Sequence, residues 1–370
     1  MKRLFFVFIS IILFSFSSVN ALSVTASSAI LMDMNSGRIL YQKDVHNPRL
    51  VASITKIMTA VLAIENGNLD EEVIVGEEVL SMYGSNIYIE LGEKMTLKDL
   101  LYGLLLRSGN DAAIVIGTYI GGSEEKFVEM MNKKAKEIGM INTTYHNCHG
   151  LDEVTQNYST AYDMAVLSSY ANTLDVYREI SKTKKWVTST ENKSYVWHNR
   201  NKLLTLYEFA TGGKTGYTPK AGRTLVTTAS KDNLNLTAVT LNDPNEYVSH
   251  EEMYEYGFDK YKNYLIIDKD NFSIDDNFYK DEVYVKESFS YPLTDKESSK
   301  TSTIAELLKL KKYKNNDKVG DIIVKLDNKE IYREPIFVRV KPKVHKSFWT
   351  KIKEFFRWTL WWIKYGAPLS

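Results

Sequence analysis

The sequence predicts a mixed α/β (α+β) fold, in which an antiparallel sheet is flanked by helices and followed by a smaller β-rich domain. Three observations support this prediction. Residues 29–33 and 38–43 have the pattern of two strands, joined by an Asn-Ser-Gly turn at 35–37. Residues 53–66 carry the apolar spacing of a helix instead. Near Tyr261, helical patterns give way to short alternating runs.

The N-terminus has the pattern of an export signal. Lys2 and Arg3 precede an apolar run at 4–16 and a small-residue end at 19–21. This order predicts a signal peptide at 1–21, with cleavage after its last residue. An uncleaved anchor is the alternative, although the run is shorter than the ~20 residues of a full span. Either interpretation places the rest of the chain outside the cytoplasm.

Composition limits both the chemistry and the partners. The 370 residues include a single cysteine, Cys148, and the formal net charge is +1. No intrachain disulfide can form, so the fold depends on its own hydrophobic cores. A charge so near zero gives no reason to expect nucleic acid as a partner, and the length indicates two domains rather than one.

The first of three short motifs is Ser53-Ile-Thr-Lys56. In a helix its serine and lysine lie on one face. A serine hydroxyl is a weak nucleophile until a base takes its proton. Lysine can be that base only if burial or a neighbouring positive charge lowers its pKa. Alone, the motif is more typical of an N-cap serine and a solvated lysine.

The second motif, Ser108-Gly-Asn110, lies between apolar stretches at 100–106 and 111–120. We therefore expect it in a break between two buried helices, the first of which starts with a capping pattern at 96–99. There a hydroxyl and an amide can relay a proton to a leaving group and hold a substrate amide. The simpler interpretation is an N-cap serine followed by turn residues.

The third motif, Lys214-Thr-Gly216, begins a run that ends in a β-branched, alternating stretch at 224–229, which predicts a strand. On a strand edge, Lys214 and Thr215 can bind a carboxylate while the backbone pairs with an extended peptide. Alone, the tripeptide is more typical of a polar strand start. Together and in this order, the three motifs supply the groups that an acyl-transferring serine enzyme without histidine needs.

These motifs resemble those of the active-site serine penicillin-recognising enzymes. They are most similar to the low-molecular-mass penicillin-binding proteins that act as D-alanyl-D-alanine carboxypeptidases. The resemblance covers roughly residues 25–260 and includes five segments: 52–59, 106–113, 149–152, 199–201 and 213–222. It implies a β-lactamase/transpeptidase-like catalytic domain at 22–262 and a β-rich domain at 263–345.

The resemblance also implies roles for individual residues. Ser53 would be the acyl-ester nucleophile, Lys56 the general base and Ser108 a proton relay. Backbone N–H groups of Ser53 and Tyr217 would form the oxyanion hole. Tyr217 stands where members of the family often carry histidine, and a backbone donor tolerates that change. The residues expected to bind substrate are Asn110, Arg200, Lys214, Thr215, Gly216 and Tyr217.

The reaction that the resemblance implies is removal of the terminal D-alanine from peptidoglycan stem pentapeptides through a Ser53 acyl-enzyme. β-Lactams would acylate the same serine, and no metal or organic cofactor is implied. A D,D-endopeptidase and a β-lactamase are the alternatives among enzymes. A catalytically silent penicillin-binding wall protein is the alternative of another class. The intact motif residues count against this last alternative.

A cluster of His146, Cys148, His149 and Asp152 suggests a metal site at first sight. Its spacing matches no zinc pattern. His149-Gly-Leu-Asp152 instead fits a loop motif of the resembling family. We therefore assign no metal ligand in this chain.

The C-terminal part divides into two segments. Within 263–345, alternating runs at 282–285, 321–326 and 336–341 predict strands, and Asp327-Asn328 is typical of a hairpin turn. The segment 346–370 carries five basic residues against one acidic residue. A helical wheel places its apolar side chains mainly on one side: Phe348, Trp349, Ile352, Phe355, Phe356, Leu360, Trp362 and Ile363.

Such a helix is expected to lie in a membrane interface, held by apolar burial and by attraction to anionic lipid. Charges within the segment argue against a transmembrane span. The alternative is a helix packed on the body of the protein. The membrane interpretation and the signal peptide together predict a location on the outer face of the bacterial cytoplasmic membrane.

Overall fold

The structure is a computed structural model that describes residues 22–191, 193–275, 278–340 and 348–366. The predicted signal peptide lies outside the described residues. The chain divides into two units. The first ends at Asn263 and also contains Pro292–Asp295, and the second consists of Tyr264–Tyr291 and the described residues from Lys296 onward.

A five-stranded antiparallel sheet forms the centre of the first unit. In spatial order its strands are β2 (Ile39–Lys43), β1 (Ser28–Asp33), β11 (Leu234–Leu241), β10 (Gly222–Lys231) and β9 (Ala210–Thr218). The predicted β1–β2 hairpin is confirmed. Its turn contains Gly37 at φ 70° and a hydrogen bond of 2.8 Å from the Ser36 N–H to Asp33 Oδ2.

Helices cover both faces of this sheet. Alternate residues of β1 join different cores, because successive strand side chains point to opposite faces. Ile30 and Met32 belong to the core that includes α1 (Lys56–Asn66) and α5 (Ala161–Ala171). Ala29 and Leu31 belong to the core with Met253 and Tyr254 of α8 (Glu246–Lys260). All six residues of β1 are therefore buried.

The remaining helices of the first unit are α2 (Leu97–Tyr102), α3 (Asn110–Gly121), α4 (Glu124–Glu137), α6 (Asp175–Lys182) and α7 (Leu203–Leu206). The predicted capping start of α2 is confirmed, since the Asp99 N–H donates to Thr96 Oγ1 at 3.1 Å. Ser123 caps α4 in the same way, and the side chains of Phe127 and Met131 form part of the buried face of that helix.

Three two-stranded ribbons complete the first unit. They pair β3 (Arg49–Leu50) with β6 (Tyr158–Ser159), β4 (Glu72–Ile74) with β5 (Lys94–Thr96), and β7 (Lys185–Ser189) with β8 (Ser194–His198). The β7–β8 hairpin is fixed by stacking of Trp186 on Tyr102, with ring centroids 3.7 Å apart.

Short strands dominate the chain after α8. Strand β12 (Lys262–Ile267) pairs with β14 (Phe289–Leu293), and α9 spans Asp295–Ser298. A four-stranded antiparallel sheet has the order β13 (Glu282–Tyr284), β17 (Lys329–Arg339), β16 (Lys318–Leu326) and β15 (Thr301–Leu307). The predicted turn between β16 and β17 is confirmed: Asp327 and Asn328 have φ of 49° and 66°, as a two-residue hairpin loop requires.

The last described helix, α10, spans Phe348–Tyr365. Its side chains Phe355, Phe356, Trp358, Leu360 and Trp361 are all more than half exposed. Within the described residues, no helix combines the length and the apolar character needed to cross a membrane.

Candidate active site

Ser53 lies in a 3₁₀ turn, Ala52–Thr55, immediately before α1. The predicted single helix over 53–66 is therefore wrong in its first turn, and Thr55 rather than Ser53 is the N-cap of α1. The 3₁₀ turn brings the side chains of Ser53 and Lys56 closer together than an α-helical turn would. A 3₁₀ turn has 3.0 residues, so side chains three apart eclipse one another. Accordingly, Lys56 Nζ lies 3.1 Å from Ser53 Oγ.

Lys56 is completely buried. Besides Ser53, its ammonium group donates to Asn110 Oδ1 at 2.7 Å and to the carbonyl oxygen of His149 at 2.6 Å. Burial lowers the pKa of Lys56 to about 7, with a further lowering from Arg200. The expected neighbouring positive charge is therefore present at Arg200. A lysine with this pKa can accept a proton near neutral pH.

Ser108 lies in the predicted break between buried helices, and this prediction is confirmed. A π-helical turn, Gly103–Arg107, follows α2 and ends at Ser108. Ser108 adopts a left-handed conformation, with φ of 64°. Non-glycine residues in this region carry backbone strain, which is often found at functional sites. The conformation turns the chain so that α3 begins at Asn110.

The side-chain amide of Asn110 forms hydrogen bonds through both its oxygen and its nitrogen. It accepts from Lys56, and its Nδ2 donates to the carbonyl oxygen of Tyr83 at 2.6 Å. With only 2% of its surface exposed, Asn110 positions Lys56 and a neighbouring loop. Its expected contact with a substrate amide stays a prediction.

Asp111 was not identified from the sequence, yet it fixes the loop that carries Ser85. Its buried carboxylate accepts from the N–H groups of Ile87 at 3.0 Å and Tyr88 at 2.7 Å. Burial raises the pKa of Asp111, and these hydrogen bonds oppose the rise. The sequence signal that could have identified Asp111 is its position, directly after Asn110 in the first turn of α3.

Lys214 lies on β9, the edge strand of the central sheet. The predicted strand at 224–229 is confirmed as part of β10, but the run that begins at Lys214 is two strands rather than one. Lys214 is 1% exposed, and its Nζ donates to Ser108 Oγ at 3.0 Å and to the Thr215 carbonyl oxygen at 2.7 Å. Burial, followed by the charges of Lys56 and Arg200, lowers the pKa of Lys214 well below its usual range.

Two glycines allow other backbones to approach the Ser53 turn. A Cβ on Gly216 would lie 3.0 Å from the Ser53 nitrogen. A Cβ on Gly150 would lie 2.0 Å from the Ala52 carbonyl oxygen, and Gly150 has φ of 87°. The third motif and the 149–152 loop therefore lie against the Ala52–Thr55 turn from two sides.

These elements enclose a cleft of about 350 Å³. Six of the nine predicted site residues line it: Ser53, Ser108, Arg200, Thr215, Gly216 and Tyr217. The other three, Lys56, Asn110 and Lys214, are buried and bonded to this group. Five further lining residues were missed from the sequence: Ser85, Lys202, Arg223, Glu246 and Tyr247. Arg200 is anchored there by a 2.7 Å hydrogen bond to Ser85 Oγ.

The 146–152 loop contributes backbone carbonyl groups to the site. The His149 carbonyl oxygen binds Lys56, and the Cys148 carbonyl oxygen accepts from Thr59 at 2.6 Å. Burial and the Lys56 charge lower the pKa of the His149 ring to about 3. Over the described stretches of the chain, no group of three or more His, Cys, Asp or Glu side chains is arranged to hold a metal.

Comparison with known proteins agrees with this geometry. A family model described as D-alanyl-D-alanine carboxypeptidase, peptidase family S11, matches residues 15–245. The chain is 38% identical over 251 residues to D-alanyl-D-alanine carboxypeptidase DacF of Bacillus subtilis (strain 168), which is 64% of this chain. It is 35% identical over 258 residues, 65% of this chain, to DacC of Escherichia coli (strain K12). The match spans 63% of the length of each of these two relatives.

Among solved structures, penicillin binding protein 5 from Haemophilus influenzae superposes with a TM-score of 0.74 and 26% sequence identity. That match covers 87% of this chain and 98% of the other. The likeness therefore extends beyond the segment that the family model matches. Since the family model alone matches well over half of the sequence, this chain belongs to the D-alanyl-D-alanine carboxypeptidases of peptidase family S11.

Proposed function

We propose that this protein is a serine-type D-Ala-D-Ala carboxypeptidase that removes the terminal D-alanine from peptidoglycan stem pentapeptides. The observation that carries the proposal is the 3.1 Å contact between Ser53 Oγ and the buried Lys56 Nζ. It pairs a nucleophile with a base whose pKa, about 7, suits proton transfer near neutral pH.

In the acylation step, neutral Lys56 takes the hydroxyl proton as Ser53 Oγ bonds to the carbonyl carbon of the penultimate D-alanine. Backbone N–H groups of Ser53 and Tyr217 stabilise the oxyanion. The C–N bond to the last D-alanine then breaks, and its nitrogen receives the proton from Lys56 through Ser108, whose hydroxyl is held by Lys214. Lys56 is then neutral again and takes a proton from the water that attacks the ester. As the bond between the acyl carbon and Ser53 Oγ breaks, Lys56 returns this proton to Ser53 Oγ.

Substrate binding uses the wall of the cleft that β9 forms. Lys214 and Thr215 bind the terminal carboxylate, assisted by Arg200, which lines the same cleft. An extended peptide pairs with β9, whose outer edge is free of a neighbouring strand in the described sheet. β-Lactams enter this site as pseudo-substrates and acylate Ser53.

The proposed location is the outer face of the bacterial cytoplasmic membrane. Two features support it: the signal-peptide pattern at 1–21 and the character of α10. In α10, the exposed Phe355, Phe356 and Leu360 would enter the interface while Lys353 and Arg357 meet anionic headgroups. Cosedimentation with anionic vesicles, lost when residues 346–370 are removed, tests this placement.

The activity is tested by intact-mass spectrometry after incubation with benzylpenicillin, together with a D-alanine release assay on a stem pentapeptide. We expect a stable adduct on Ser53 and released D-alanine, both lost in Ser53→Ala. Ser302→Ala, an exposed serine of β15, is the matched control and should change neither.

Other outcomes identify the competing functions. An adduct without D-alanine release favours an endopeptidase or a silent penicillin-binding protein, which cleavage of crosslinked muropeptides then separates. Rapid turnover of penicillin identifies a β-lactamase. If no adduct forms on Ser53, the proposed mechanism is wrong.

A further inference from the structure

An ion pair borders the catalytic cleft on its sheet side. Arg223 Nη1 lies 3.1 Å from Glu246 Oε1, and both residues line the cleft that contains Ser53. The guanidinium carbon of Arg223 is also 5.7 Å from the centroid of the Tyr217 ring. Arg223 belongs to β10, whereas Glu246 is the first residue of α8.

The two partners differ in exposure. The Glu246 side chain is 9% exposed, whereas that of Arg223 is 56% exposed. A buried carboxylate is costly unless it is paired, so Glu246 holds the guanidinium in place. A guanidinium has five N–H donors. The contact with Glu246 involves Nη1 of Arg223, a side chain that lines the cleft and stays 56% exposed, so other donors remain for a ligand.

Strand register places Arg223 near the expected carboxylate position. Thr215 and Tyr217 are two residues apart on β9 and so share one face. Arg223 is directly opposite Tyr217, and Leu225 is opposite Thr215. Arg223 is therefore the diagonal neighbour of Thr215, at about 7–8 Å, a distance that a long side chain spans. A carboxylate bound at Thr215 comes within reach of its guanidinium.

We propose that Arg223, held by Glu246, is a carboxylate-binding residue that takes one oxygen of the substrate's terminal carboxylate, the other being bound at Lys214 and Thr215. This role rests on the proposed function and extends it. It makes recognition of a free C-terminal carboxylate depend on a pair of residues outside all three motifs.

The electrostatics of the cleft support this role. Burial and the charge of Lys56 keep the pKa of Lys214 well below its usual range, which weakens Lys214 as a source of positive charge. An arginine side chain, by contrast, keeps its charge at any pH that the protein meets. Removal of Arg223 alone would also leave the Glu246 carboxylate in the cleft, where it would repel the substrate.

Binding measured without turnover tests the proposal. The ligands are N-acetyl-D-alanyl-D-alanine and its C-terminal amide, titrated by NMR into the full chain carrying Ser53→Ala. We expect the acid to bind more tightly than the amide. Adding Arg223→Gln should weaken binding of the acid about tenfold or more and leave binding of the amide unchanged, because a hydrogen bond to a charged group is lost.

Two further variants distinguish binding from structural support. Lys231→Gln removes a cation at the far end of β10, where Nζ lies 4.6 Å over the Phe209 ring, and should preserve the preference for the acid. Arg223→Gln combined with Glu246→Gln should restore part of the acid binding, because the unpaired carboxylate is gone. This double variant also replaces Arg223→Gln if the single variant does not fold.

Turnover separates this inference from the proposed function. In the Ser53 enzyme, Arg223→Gln should raise KM for the pentapeptide much more than it lowers kcat. Suppose that the enzyme with Ser53 intact releases no D-alanine while the preference for the acid over the amide still depends on Arg223. In that case the proposed function fails and the carboxylate site stands. Equal affinity for acid and amide before substitution, or an equal loss of both in Arg223→Gln, overturns the site.

Discussion

Lys214 Nζ donates a 3.0 Å hydrogen bond to Ser108 Oγ, although 106 residues separate them in the sequence. This bond ties the sheet edge to the break between α2 and α3. On the other side of the same break, Lys56 bonds to both Asn110 and Ser53. The three motifs thus meet at the break between α2 and α3.

The rate of acylation should depend on the protonation of Lys56. Burial places its pKa at about 7, so the neutral base becomes scarcer by roughly tenfold for each pH unit below that value. The acylation rate with benzylpenicillin should therefore rise with pH through 7. Stopped-flow measurements from pH 5 to 9 check this, and a flat or inverted profile would contradict it.

The left-handed conformation of Ser108 should lower the stability of the fold, whereas its hydroxyl should be needed for activity. Ser108→Ala removes the relay hydroxyl but keeps a Cβ at φ 64°, whereas Ser108→Gly removes both the hydroxyl and the strain. We expect both variants to lose about 10²–10⁴ in kcat. Ser108→Gly should be about 1 kcal/mol more stable than Ser108→Ala. Urea unfolding and D-alanine release measure the two effects, and full activity in either variant would refute the relay.

Gly150→Ala should disturb the nucleophile turn, because its Cβ would lie 2.0 Å from the Ala52 carbonyl oxygen. Gly92→Ala is the matched control: Gly92 has φ of 80° but no atom within 4 Å of the added Cβ. Both should lose about 1–2 kcal/mol from left-handed strain. Only Gly150→Ala should lose a further ~1–3 kcal/mol from the clash, together with penicillin acylation. Equal behaviour of the two would show that the close approach does not matter.

Stability should fall in acid because of His250. Its ring is buried between Thr227 Oγ1 at 2.6 Å and Thr240 Oγ1 at 3.1 Å, and burial lowers its pKa to about 3. Between pH 6.5 and 3 the unfolded chain binds a proton that the folded chain does not, so stability rises with pH across this window.

His250 alone should contribute a limiting slope of about 1.4 kcal/mol per pH unit. Urea midpoints at pH 7 and 4.5 measure it. His250→Gln should be less stable at pH 7 but should flatten the dependence. His198→Gln, on the exposed face of β8, is the matched control and should leave the midpoint at pH 7 unchanged.

Local sequence signals were enough for the features that depend on near neighbours. The turns at Gly37 and at Asp327-Asn328, the cap at Thr96 and the strand at 224–229 all follow from side-chain chemistry within a few residues. The 3₁₀ turn at Ser53 could not be predicted in this way. Over a single turn, the spacing of apolar residues cannot distinguish a 3₁₀-helix, with 3.0 residues per turn, from an α-helix, with 3.6.

The remaining cleft residues depend on packing between distant segments. Ser85 enters the cleft because Asp111 binds the backbone of its loop, and Glu246 enters because α8 packs on the sheet. Neither lies in a motif or shows a spacing that marks it. No local pattern marks Pro292–Asp295 as part of the first unit, because that grouping reflects contacts rather than composition.

That grouping has a consequence for biosynthesis. Arg38 donates to the carbonyl oxygen of Pro292, and Lys262 pairs with Asp295 at 2.9 Å. As a growing chain emerges, these partners appear only after Tyr264–Tyr291, a stretch of the second unit. A nascent chain halted before Pro292 carries all three motifs but lacks both of these ties. Completion of the first unit therefore waits for translation of part of the domain that follows it.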